Sequence, residues 1–305
     1  MKKLVGGHKK TIFILLVIFL VFSKNIYSSQ IYDFQTDQFI EKINSKILSV
    51  NHYDKKINFR IIHDNFPNAF VTEQNILFLS SGLIIHSPDY VSLLAVLAHE
   101  IGHLENYHVK QRKNEIDSLQ KINSLGSFAA IAGSMIIQQP EIINSLIVNQ
   151  NAINKMYISF TQDQEIEADI YAVQTLEKLN LPKNSVKEFL SILEDKTKFD
   201  IIDEELKKFS THPLFKDRYN IVDSNINNKR YKFNQEMQNE FKFIQAKFIA
   251  YTNNKYSNDF NEDESIYYYA IKDAISGKLS ESLKKLNSLI LKYKNNYFFL
   301  ETKAD

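Results

Sequence analysis

The chain contains no cysteine, and that absence removes thiol nucleophiles, thiolate zinc sites, disulfides and lipid-modified cysteine together. Any metal must be held by histidine and carboxylate. Long apolar runs are missing as well. The run from Thr11 to Phe22 covers twelve residues and the small-residue stretch from Leu125 to Ile137 thirteen, against the roughly 20 that a membrane-spanning helix requires. Nor is there an excess of charge: 37 Lys and Arg face 36 Asp and Glu, a balance with no electrostatic footprint for nucleic acid. A hydrophobic share of 44% over 305 residues excludes wholesale disorder and suffices for one large core or two domains.

Residues 1–29 read as an export signal. Lys2, Lys3, Lys9 and Lys10 precede the apolar run, and Ser28 and Ser29 offer small residues for cleavage after Ser28. An uncleaved anchor is the alternative; either places the body of the protein outside the cytoplasm. Without those residues 32 Lys and Arg face 36 Asp and Glu, a net charge of −4.

Histidine is scarce, with eight in the chain, yet His99 and His103 stand four apart with Glu100 beside the first. This is the H-E-x-x-H pattern of a zinc peptidase. Four residues advance about 400° around an α-helix, so both imidazoles project from one face and can bind one tetrahedral metal. Glu100 lies about 100° away, too far round to share the metal but able to act on its water as general base. Leu93, Leu94, Leu97, Ile101 and Leu104 recur at helical spacing and predict a buried helix, where unpartnered His and Glu would be costly.

Upstream, residues 31–49 predict a helix, 57–63 a strand, and 68–72 and 76–80 two further β-prone segments. Ser87-Pro88-Asp89 predicts the start of the metal helix, with the serine hydroxyl as cap and proline in the first turn. This order suits an α+β metallopeptidase whose edge strand pairs with an extended substrate. The stretch 125–137 predicts a packed or lid-like helix near the site, with contact to a membrane surface as the alternative.

A peptidase zinc site takes three protein ligands. Gly at 106 and His at 109 would give the metzincin solution; Asn106 and Val109 exclude it. A downstream glutamate is the other common answer. Glu165 and Asp169 offer an i,i+4 pair, the first able to bind zinc and the second to accept a proton from a ligand imidazole. Glu167 falls on another face and is expected to be solvated. Spacing alone is weak support, because such acid pairs abound on helices.

Beyond that pair, the chain resembles the zinc metallopeptidase family that includes HtpX, BepA and the CAAX prenyl protease. The resemblance runs from Asn68-Ala69-Phe70 through Gly82-Leu83, Val96 to His103 and His108, to Glu165 to Asp169 and Thr211-His212-Pro213 with Arg218. It implies a zincin-type fold, mostly helical with a small sheet. It also implies His99, His103 and Glu165 as ligands of one Zn2+, Glu100 as base and Asp169 as the orienting carboxylate. His212 would stand near the zinc, either stabilising the oxyanion or filling the open position at rest. His108 is expected to be structural and turned away from the metal. The chain departs from the pattern at Gln74-Asn75, where members often carry Gly-Gly, and at Gln162, where they often carry Arg.

Residues 231–251, 264–276 and 280–293 predict helices, with Gly277 breaking the last two and Asn295-Asn296 ending them. Ala270 and Ala304, 34 residues apart, suggest one tetratricopeptide unit and the start of a second; a plain helical hairpin is the alternative. The expected organisation is therefore an export signal over 1–29, a metallopeptidase domain over 30–222 and a helical, TPR-like segment over 223–305. The expected function is an exported, periplasmic, zinc-dependent endopeptidase. By resemblance its substrates are unfolded or misassembled envelope proteins, and its tail reaches outer-membrane assembly machinery. Peripheral membrane contact is compatible with this, and nucleic acid is not a partner. The rival is an envelope chaperone or scaffold with a latent zinc site.

Overall fold

The computed structural model describes residues 30–114, 160–199, 216–223, 231, 233–252, 259–294 and 296–305. The export signal, the 125–137 stretch and Thr211-His212-Pro213 lie outside the described residues. Strand β1 (Gln30–Ile31) leads into helix α1 (Phe34–Asn51), capped by the Asp33 side chain on Thr36 N. Strands β2 (Asn58–Ile62), β3 (Ala69–Val71) and β4 (Ile76–Ser80) follow. The sheet order is β1-β2-β4-β3, with β2 parallel to β4 and the outer strands antiparallel to their neighbours. Strand β3 is thus an edge. Gln74-Asn75 still makes the tight β3–β4 turn, because Asn75 takes φ +56°, a left-handed conformation that Asn tolerates.

Helix α2 (Ser81–His86) is short and was not expected from the sequence. It also moves the start of the metal helix. Ser87 closes α2, its Oγ donating to Leu83 O at 2.7 Å, while Asp89 caps α3 (Tyr90–Glu105) by accepting from Ser92 N. The expected serine cap is therefore corrected to Asp89: the hydroxyl is already committed to the preceding turn. Gly82 is required where it stands. A Cβ there would lie 2.3 Å from Asn65 O, so the loop entering β3 rests directly on α2.

Helices α4 (Gln162–Lys178) and α5 (Asn184–Phe199) pack on α3, with α3 lying along α4, and α6 (Lys216–Asp223) packs on α4 and α5. Ile40, Ile43, Leu79, Leu94, Leu97, Ile101 and Leu176 fill the core between sheet and helices. Helix α7 (Gln235–Thr252) then serves two cores. Its Met237, Phe241, Ile244 and Phe248 join the first. Phe243, Ala246, Ile249 and Ala250 face a second, built with α8 (Glu262–Ile275), α9 (Leu279–Lys292) and α10 (Phe298–Ala304). Gly277 takes φ +78° between α8 and α9, where only glycine is unstrained. Ala270 is buried and Ala304 exposed, so the 34-residue spacing joins unlike environments. The fold is mostly helical with a small mixed sheet, and no described helix is long and apolar enough to cross a membrane.

Candidate metal centre

The metal-site residues lie on the two helices that pack most closely. Gly102 makes this possible: a Cβ on it would meet Tyr171 Cβ at 3.0 Å and Ala168 Cα at 3.2 Å, so α3 and α4 approach nearly backbone to backbone. Helix α4 is set by a capping box in which Thr161 accepts from Gln164 N and the Gln164 side chain accepts from Thr161 N. Glu165 stands one residue further on, fully buried and facing α3.

The donor atoms converge. His99 Nε2 and His103 Nε2 are 3.0 Å apart, and the Glu165 oxygens lie 3.4 Å from the first and 3.5 Å from the second. Among the described residues this is the one group of three or more His, Asp and Glu that could hold a metal ion. With zinc-to-ligand bonds of about 2.0–2.1 Å, a tetrahedral site separates its ligand atoms by about 3.3 Å. The observed separations, 3.0 Å between the imidazoles and 3.4 and 3.5 Å from the two Glu165 oxygens, bracket that edge length, and two neutral imidazoles with one carboxylate suit zinc, so the residues fit the ion.

Behind the donors lies a charged clamp. His99 Nδ1 donates to Asp169 Oδ1 at 2.8 Å, which places the ring's lone pair on Nε2, toward His103 Nε2 and Glu165. Asp169 is gripped by Arg218, whose Nε and Nη2 donate at 2.7 and 2.8 Å, while Nη1 stands 3.3 Å from Glu165 Oε2. Burial by itself pushes the Asp169 carboxyl up, but the Arg218 charge and the His99 contact outweigh it and hold the group below its ordinary value. Burial likewise lowers His99, yet Asp169 first and Glu165 second raise its affinity for a proton overall. Gln162 supplies no cation; the guanidinium beside Glu165 comes from Arg218 on α6. Sequence reasoning had marked Arg218 only as part of a resemblance and assigned it no contact.

One expectation needs correction, and another gains detail. Glu167 is not merely solvated: its carboxylate accepts from His108 Nε2 at 3.0 Å. His108 is turned away from the donor cluster, as expected, but it is buried and reaches the back of His103, with 3.1 Å between the two Nδ1 atoms. His212 lies outside the described residues.

A cleft opens onto His99, Glu100, Asp169 and Arg218. One wall is the loop into β3, Phe66 to Ala69; another is apolar, with Val186, Phe189, Leu190 and Leu193 of α5. Glu100 and His99 at the cleft, with His103 and Glu165 buried behind His99, are the arrangement of a metallopeptidase of the H-E-x-x-H type. Peptidase family M48 matches residues 34–226, well over half of the chain, and the protein belongs to that family. Among its relatives, beta-barrel assembly-enhancing proteases, one from Vibrio cholerae is 29% identical over 64% of this chain and 40% of the relative. Another from Yersinia pestis is 26% identical over 67% and 40%, and a third from Escherichia coli K12 is 23% identical over 88% and 57%. The chain spans 40–57% of the length of these relatives.

Proposed function

We propose that the protein is an exported, zinc-dependent endopeptidase that cleaves misfolded or stalled envelope proteins. The observation that carries this is the tetrahedral spacing of His99 Nε2, His103 Nε2 and Glu165 beside a cleft lined by Glu100. Zinc, when bound, supplies Lewis acidity toward the scissile carbonyl and lowers the pKa of water. Glu100 takes the proton of the attacking water and passes it to the leaving amine. Asp169, held by Arg218, keeps the His99 ring in the required orientation. The edge strand β3 receives substrate as an added antiparallel strand, with main-chain hydrogen bonds giving affinity for any extended segment. That mode suits unfolded chains, which present backbone.

The names of the relatives support an envelope role connected with β-barrel assembly, and the export signal over 1–29 fits it. Residues 30–222 form the peptidase portion and 223–305 a TPR-like segment that engages assembly machinery, with a gating role for His212. The test is metal analysis of the purified protein with casein digestion by wild type and Glu100→Gln. One zinc per chain is expected in both, with cleavage in the wild type alone. Substantial cleavage by Glu100→Gln would reject the assigned base, and a wild type that binds no zinc would reject the reading.

A further inference from the structure

The two candidate ligand imidazoles are supported from behind by different chemistry. His99 Nδ1 meets a carboxylate clamped by a guanidinium. His103 Nδ1 instead faces a second imidazole, His108 Nδ1, at 3.1 Å, and His108 Nε2 faces Glu167 Oε2 at 3.0 Å. The plane of the His103 ring is also fixed. Phe160 stacks on it with 3.6 Å between centroids and 15° between planes, and the Arg112 guanidinium lies 3.8 Å over Phe160.

A neutral imidazole carries one N–H and one lone pair, so each ring has two tautomers. In one arrangement of the pair, His103 Nδ1–H donates to His108 Nδ1, and His108 Nε2–H donates to Glu167. Both contacts behind the ring are then hydrogen bonds, and His103 Nε2 presents a lone pair toward His99 Nε2, 3.0 Å away, and Glu165, a convergence of acceptors that a bound cation would satisfy. In the reverse arrangement His108 Nδ1–H donates to His103, which turns the lone pair of His108 Nε2 against the Glu167 carboxylate and puts a hydrogen on His103 Nε2. That set places two acceptors in contact at 3.0 Å and blocks the metal-facing nitrogen.

We propose that His108 and Glu167 are positioning residues for the metal centre: a two-member relay that selects the Nδ1–H tautomer of His103 and aims its Nε2 at the ion. Neither is a ligand. The proposal rests on the zinc reading above, because the cation is what satisfies the two Nε2 lone pairs that face each other at 3.0 Å. Glu167 is 57% exposed in its side chain, so water can partly replace it. His108 is buried and has no such substitute.

The test has two independent readouts. In the zinc-loaded protein, long-range proton–nitrogen spectra of ¹⁵N-histidine should show His108 protonated at Nε2, with its Nδ1 accepting the His103 Nδ1 proton, and that hydrogen-bond signature lost in His108→Phe. By chelator competition, zinc affinity should fall about 10–100-fold in His108→Phe, the usual scale for losing such a partner, and by less in Glu167→Ala. His108→Asn, whose Oδ1 can stand where Nδ1 stood and accept from His103, should recover part of the loss. Mere packing damage would not be repaired by that smaller side chain. Glu167→Ala changes a half-exposed position and keeps the test valid if His108→Phe does not fold. Wild-type zinc affinity in both folded variants, or a His108 protonated at Nδ1 in the zinc-loaded wild type, would overturn the relay and leave the zinc reading standing. A wild type that binds no zinc would reject the zinc reading and the relay with it.

Discussion

Gly102→Ala is the sharpest test of how this site is built, because two effects of known size oppose each other at one atom. Alanine in the middle of α3 is favoured over glycine by about 1 kcal/mol of helix propensity. The new Cβ would, however, sit 3.0 Å from Tyr171 Cβ and 3.2 Å from both Ala168 Cα and Tyr171 Cγ. Two of those atoms belong to or adjoin the α4 backbone and cannot swing aside. Restoring ordinary contact requires α3 and α4 to part by several tenths of an ångström, and overpacking of this kind costs about 1–3 kcal/mol. The net expectation is a loss of about 0–2 kcal/mol in the metal-free protein. Zinc should report the change more strongly, because His99 and His103 flank Gly102 on α3 while Glu165 rides on α4. Parting the helices stretches two of the three separations that match a tetrahedral site. A tenfold loss of affinity, about 1.4 kcal/mol, or more is expected by chelator competition, alongside thermal melting with and without metal. A variant with a raised melting temperature and wild-type zinc affinity would refute the close-approach argument, leaving propensity as the only effect of Gly102.

Arg218→Ala should destabilise the metal-free protein by about 3–5 kcal/mol in urea titration, since it leaves Asp169 and Glu165 buried without their guanidinium; a loss under 1 kcal/mol would show that the clamp contributes little. Gln245→Leu should cost about 1–3 kcal/mol, because Gln245 Nε2 donates to the carbonyls of Ile84, Ile85 and Ser87 at 3.0, 3.3 and 2.8 Å, and an unchanged melting curve would contradict that. Burial by itself raises the Asp263 carboxyl, but hydrogen bonds from Lys292 and Tyr293 outweigh it and hold it below 3.8. Its stabilisation is therefore present above that pH and lost as pH falls through the depressed value, so the melting gap between wild type and Asp263→Asn should be open at pH 6 and close in acid. A gap that widened in acid would reverse the sign. Under the gating proposal His212→Ala should raise casein cleavage; a sharp fall of roughly 100-fold at constant zinc would make it an oxyanion donor instead.

The metal face of α3 was legible in the sequence because its chemistry is local: two imidazoles at i,i+4 share a face wherever the segment is helical. The β3–β4 hairpin was legible for a similar reason, with Asn75 able to take the left-handed position that glycine would otherwise hold. What sequence periodicity could not show is how the chain returns after the helix. His108 lies five residues beyond His103 and on no common helical face. It reaches the back of that ring because Asn106 caps α3 and Tyr107 takes φ +60°, an uncommon conformation for a bulky residue. Nothing in the identity of Tyr107 announces it. Arg218 was hidden by distance, standing 49 residues beyond Asp169 on a short helix of its own. The cap of α3 was ambiguous for another reason. Ser87 and Asp89 are both good caps, and the choice was made by α2, a helix of six residues containing a glycine, too short to leave a periodic signal.

The tail bears on the site through helix α7. Gln238 Oε1 accepts from Tyr90 N at 3.1 Å at the first residue of α3, and Tyr90 Oη accepts from Asn234 N at 3.0 Å just before α7 begins. Gln245 holds the α2–α3 junction from the same helix whose Met237, Phe241 and Ile244 pack into the core with Leu94 and Leu97. The N-terminal end of the metal helix is thus fixed partly by the tail, while the opposite face of α7 is buried by α8, α9 and α10. A rigid helix shared by two cores transmits displacement more readily than a linker would, because packed interiors rearrange in discrete steps rather than deforming smoothly. Force or ligand applied to α8 and α9 would therefore reach Tyr90 before it reached His99. The Gln245→Leu variant weakens that connection without touching a donor atom, and its zinc affinity, compared with its stability, separates a tail that only supports the peptidase portion from one that also sets the geometry of the metal helix.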